Sequence, residues 1–96
     1  MGAVFNAARV QVGEVDKELL KAASGAKLGE LDGEEILNAS RMKVGEIDGD
    51  VVKNAQVVKV GEMDDNVILD ANRRKIGEVE DEQDIPGGAA ILLLLL

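Results

Sequence analysis

Apolar residues fall into two patterns along this chain, and the two do not mix. From Val4 to Val79 they are short, interrupted and regularly spaced, whereas Ala89-Ala90-Ile91-Leu92-Leu93-Leu94-Leu95-Leu96 carries no polar side chain at all. Leaving such a run in water costs roughly 25 cal/mol for every Å² of apolar surface. It therefore predicts a buried element with the rest of the chain arranged around it. Leu and Ala are good helix formers and no β-branched residue follows Ile91, which favours a helix. A short buried strand is the alternative, because periodicity does not separate the two. Pro86 suits the first turn of a helix, and the acids from Glu78 to Asp84 suit its positive end. Eight helical residues span about 12 Å, short enough to sit inside a ring of short strands. A bilayer span needs about 20 apolar residues, so residues 89–96 are not a membrane anchor.

The interrupted part is a tandem repeat. Gly13, Gly29, Gly45, Gly61 and Gly77 recur every sixteen residues, each followed by Glu. In register the units are VGEVDKELLKAASGAK (12–27), LGELDGEEILNASRMK (28–43), VGEIDGDVVKNAQVVK (44–59) and VGEMDDNVILDANRRK (60–75). A fifth, 76–88, starts true and then departs; residues 4–11 form the second half of one more. The whole chain, 1–96, thus reads as a single repeat domain with an apolar plug at 89–96.

Sixteen residues hold two short strands and two turns. Asp32-Gly33, Asp48-Gly49, Asp64-Asp65 and Asp16-Lys17 predict the first turn, a type I′ hairpin with positive φ at both central residues. Asn38-Ala39-Ser40-Arg41, Asn54-Ala55-Gln56 and Ala23-Ser24-Gly25 predict the second. Between the turns, Met42, Val44 and Ile47 break strict alternation, as do Val10, Val12, Val15 and Val58, Val60, Met63. A β-bulge at the Gly-Glu pair would return all three to one face, with the glycine as a bulge or close-approach position. Leu20, Ile36, Val52 and Ile68 are expected to face the core. Ala7, Ala23, Ala39, Ala55 and Ala71 suggest backbone packed against something common to every unit. The glutamates and Lys27, Lys43, Lys59 and Lys75 are expected outside, neighbouring strands interleaving both signs.

Composition narrows the chemistry. There is no Cys and no His, which removes disulfides, thiolate metal sites and the commonest general base. The core must be aliphatic, since Phe5 is the lone aromatic residue. A net charge of −8 argues against nucleic acid and anionic membrane surfaces as partners. The N-terminal residues resemble neither a secretion signal nor a myristoylation site, so the expected compartment is the cytoplasm.

These units, of the form V-G-E-[hydrophobic]-D-G-x-x-V-x-N-A and followed by Gly87-Gly88-Ala89-Ala90-Ile91-Leu92-Leu93-Leu94, resemble the bacterial β-flower proteins from Val4 to Leu96. The resemblance implies four or five β-hairpin petals around a hydrophobic centre and transfers no functional residue. Five Gly-Glu pairs favour five petals; the degenerate fifth unit leaves four with a capping element open. The expected fold is therefore all-β, a flower- or barrel-like ring of about five hairpin repeats around a short apolar C-terminal helix.

For function the expectation is a non-catalytic structural or protein-interaction module, not an enzyme. Uniform units offer the same chemistry around the ring, whereas active sites bring unlike groups together. No catalytic, cofactor-binding or metal-ligating residue is assigned, and no cofactor. A protein partner or a second copy of the chain is the expected partner class. Calcium-type cation binding by Asp48-Gly49-Asp50 and Asp64-Asp65-Asn66 is the alternative, although the twelve-residue calcium loop is absent. Paired-carboxylate hydrolysis ranks last, because no carboxylate pair is marked out and no aromatic platform exists for a sugar.

Overall fold

Residues 2–94 are described by a computed structural model. Ten strands follow in order: β1 (Gly2–Asn6), β2 (Gln11–Asp16), β3 (Leu19–Ala22), β4 (Lys27–Asp32), β5 (Glu35–Asn38), β6 (Lys43–Asp48), β7 (Val51–Asn54), β8 (Lys59–Asp64), β9 (Val67–Asp70) and β10 (Lys75–Val79). A single 3-10 turn, Glu82–Asp84, then leads into α1 (Ile85–Leu94). Each strand pairs antiparallel with its neighbours, and β1 pairs with β10 to close the barrel. Val4 stands opposite Val79, and Phe5 opposite Glu78. Closure leaves no unpaired edge.

Four petals are consecutive hairpins, β2–β3, β4–β5, β6–β7 and β8–β9; the fifth is β10 paired with β1. The count is five. It also explains why the fifth unit departs from the repeat. Where the other petals turn back, this one releases the chain inward to become α1.

The petal turns have two-residue loops, with Asp48 opposite Val51 and Asp32 opposite Glu35. Asp is thus the last strand residue, and Gly33 and Gly49 are the first residues of the turn, with φ of 64° and 62°. Lys17 and Asp65 take the same place at 59° and 55°, while no second turn residue has positive φ. That is type II′ geometry, not the expected I′. The carbonyl of the second turn residue is used by the next petal: Ile47 N–H donates to Glu34 O, and Met63 N–H to Asp50 O, both at 2.7 Å.

At the opposite rim, four-residue loops are held by the side chain that precedes them. Ala8 and Val10 N–H both donate to Asn6 Oδ1, at 2.9 and 3.0 Å. Asn38, Asn54 and Asp70 repeat this pair of bonds. In the second loop Ala22 stands where the others have Asn or Asp, and Gly25 supplies the left-handed residue at φ 92°. The alanine row Ala7, Ala23, Ala39, Ala55 and Ala71 lies exposed in these loops. Those alanines pack against nothing shared.

The bulge is present one residue earlier than expected. Ile36 faces Gly45 and Leu37 faces Lys43, so Val44 is the extra residue. Val12, Leu28, Val60 and Ile76 are extra in the same way. Consequently Val10, Met42 and Val58 do not join the inward face but sit exposed in the loops. The inward rows are the glycines, then Val15, Ile47, Met63 and Val79, and across from them Leu20, Ile36, Val52, Ile68 and Val4. Close approach explains the glycines. A methyl group on Gly45 would come within 2.5 Å of the Lys53 carbonyl oxygen and 3.1 Å of Leu93 Cδ2.

Helix α1 fills the barrel, with Gly87 to Leu92 buried. It begins four residues before the predicted plug, with Pro86 in its first turn, and takes in Gly87 and Gly88. They are there for size: a methyl group on Gly88 would overlap Val79 Cγ2. Leu95 and Leu96, the end of the predicted plug, lie outside the described residues. Because one helix cannot follow five-fold symmetry, the petals meet it unequally. Ile91, Leu94, Leu93 and Leu92 lie against Gly13, Gly29, Gly45 and Gly77, but among the described residues no helix side chain reaches Gly61. An apolar void of about 10 Å³ remains there, lined in part by Gly61, Ile68, Ala89 and Leu93.

Candidate functional site

A barrel of this size commonly uses its interior for a ligand. Here α1 occupies that space, and no polar or charged residue among those described is buried. Chemistry is left to the outer wall and the two rims.

The rim of type II′ turns is acidic. It carries Asp16, Glu18, Asp32, Glu34, Asp48, Asp50, Asp64 and Asp65, and the chain from Glu80 to Asp84 leaves from the same end. The candidate cation residues Asp50, Asp64 and Asp65 do come together here, in a shallow depression with Ile85 and Pro86. Asp48 turns instead to Lys53, whose Nζ donates to Oδ2 at 2.9 Å. That hydrogen bond, reinforced by the Asp48 charge, raises the Lys53 pKa above its ordinary 10.5. Among the described residues no three acidic side chains gather closely enough to hold a metal ion.

The wall carries both signs, but not by simple alternation between neighbouring strands: Glu14 faces Lys21 and Glu46 faces Lys53, whereas Lys27 faces Lys21 and Glu35 faces Glu46. Lys27, Lys59 and Lys75 reach Glu30, Glu62 and Glu78 three residues ahead, at 3.9, 3.6 and 3.6 Å. Arg9 pairs with Glu78 at 2.8 Å, Arg41 with Glu30 and Arg73 with Glu62. Each exposed pair contributes little by itself, but together they neutralise the glutamate of three Gly-Glu pairs.

The rim of side-chain-capped loops is of opposite character. Its loops, 7–10, 23–26, 39–42, 55–58 and 71–74, contain Arg9, Arg41, Arg73 and Arg74 and no acid. They also expose Val10, Met42, Val57 and Val58 at 57, 63, 57 and 56%. The end of α1 is at this rim, where Leu93 and Leu94 are half-buried. Sequence reading assigned Val10, Met42 and Val58 to the core and gave no role to Val57. The signal lay in the repeat itself. Arg9, Gly25, Arg41, Val57 and Arg73 are equivalent positions, all with positive φ, and Val57 is the member that does not suit the place.

The model of a family described as 5-fold beta-flower protein matches residues 3–86. No curated protein and no solved structure matches the chain. No helix among the described residues is long and apolar enough to cross a membrane.

Proposed function

Since the chain belongs to the 5-fold β-flower family, we propose that it works as a non-catalytic interaction module, binding a macromolecular partner or a second copy through a rim. The observation that carries this is the filled barrel. Enzymes and small-molecule binders need a concave site with convergent polar groups, and here the barrel interior is taken by α1 and, among the described residues, lined by aliphatic side chains. Repetition supports the same reading, because five like petals present extended rims in place of one unlike cluster.

Methyl and amide NMR titrations test it. A macromolecular partner should shift amides of one rim and leave the methyl groups of Val79, Ile68 and Ile91 in place. A small molecule that moves those core methyls saturably would show that α1 yields its place to a ligand, and would overturn the proposal.

A further inference from the structure

Val57 is a poor fit to its backbone, and it stands in the open. Its φ is 65°, a left-handed conformation in which a β-branched residue is a genuine outlier. Three sister loops place Arg there, and a fourth places Gly. Burial gives no reason for the valine, since Val57 and the adjoining Val58 are both more than half exposed. Backbone strain of this kind clusters at functional sites. Met42 projects from the neighbouring loop at 63% exposure. Arg41 shares that loop, and Arg73 and Arg74 occupy the loop on the other side.

We propose that this rim docks onto an anionic lipid bilayer: Val57, Val58 and Met42 enter the boundary between headgroups and acyl chains, and Arg41, Arg73 and Arg74 engage lipid phosphates. The proposal rests on reading the chain as a non-catalytic interaction module and names its partner. Separate aliphatic tips on separate loops suit a fluid apolar phase that closes around each of them. Arginine matches phosphate with paired hydrogen bonds, and surface binding grows with buried apolar area and with attraction to anionic lipid. Glu30 and Glu62 offset Arg41 and Arg73 from the wall behind, where their side chains are 18 and 16% exposed. The apolar tips therefore carry a large share of the binding.

The net charge of −8 does not forbid this, because it averages two unlike rims. The longer strands, β2, β4, β6 and β8, have six residues each and, tilted, hold the rims about 15 Å apart. At physiological salt the screening length is about 8 Å, so the acidic rim repels a membrane weakly while the cations act in contact.

Co-sedimentation of the full chain with vesicles tests the proposal. The chain should bind vesicles of mixed phosphatidylserine and phosphatidylcholine, and not phosphatidylcholine alone. The double variant Val57→Asn, Val58→Ser should bind about ten-fold more weakly. Its melting temperature should equal or exceed that of the parent, because Asn tolerates the left-handed region. Val57→Arg, which copies the sister loops, should also weaken binding although it adds a cation. Unchanged binding by the double variant, tighter binding by Val57→Arg, or no lipid binding at all would overturn the proposal. A protein captured by this rim when lipid binding fails would also overturn it, and would leave the interaction-module reading standing.

Discussion

Left-handed backbone is where single residues matter most in this protein. The first position of each petal turn has positive φ whether it is filled by Gly33, Gly49, Lys17 or Asp65. A lysine is strained there and glycine is not. Lys17→Gly is expected to raise stability by about 0.5–1 kcal/mol, read as a higher urea midpoint with unchanged slope. The glycines of the inner ring work by size instead. Gly45→Ala would press a methyl group onto the Lys53 carbonyl oxygen, a backbone atom with no room to retreat, and should cost about 2 kcal/mol or more. One change installs a glycine and the other removes one, and in both the chain with glycine is the more stable, for backbone conformation in the first case and for size in the second. The repeat made all these glycines visible, but not which of them serve a turn and which serve a contact, since that depends on the strand across the ladder. Capping residues are simpler. Asn54→Ala leaves the Gln56 and Val58 N–H groups without their side-chain acceptor, an expected loss of about 1 kcal/mol in the same unfolding assay.

Among the elements, α1 holds the petals together. Ile91 is fully buried and meets the ring at Gly13; Ile91→Ala should destabilise by about 2–5 kcal/mol, measured by chemical denaturation. A chain ending at Gly88 should not fold as a monomer, which circular dichroism and sedimentation would show. The apolar tail announced this element plainly, because eight side chains without polarity have nowhere else to go. Its start was marked only by Pro86, which does lie in the first turn. Gly87 and Gly88 are poor helix formers, and they stand in the helix because Val15 and Val79 lie too close for a larger residue. The bulge was displaced by one residue for a related reason. Periodicity shows that an extra residue exists, but the ladder decides which one it is, and that choice moved Val10, Met42 and Val58 from core to rim.

At the scale of the whole molecule, the ring and its five petals were legible because the period never slips between Gly13 and Gly77. The candidate site was not. Net charge is a sum, and it conceals a molecule whose loops carry arginine at one end while its turns carry acid at the other. Electrostatics also sets the alkaline limit. Lys53 has a raised pKa through Asp48, so its contribution to stability is fully present below the ordinary lysine value of 10.5. It is lost as pH rises through the higher folded-state value. Thermal melts across the alkaline range should show the parent losing more stability than Lys53→Met.

The seam between β1 and β10 sets the order of assembly. Successive strands are joined by loops of two or four residues and can zip as soon as they are made. Val4, by contrast, waits for Val79, and the helix that fills the centre comes later still. During synthesis the ring is therefore an open, curved sheet with two free edges and an uncovered aliphatic face. Closing it costs the entropy of one long loop, and that single event, not the formation of any petal, is expected to set the folding rate. A nascent chain stalled before Ile85 would be a string of good hairpins with no interior. The protein acquires its core only when its last turn of helix arrives.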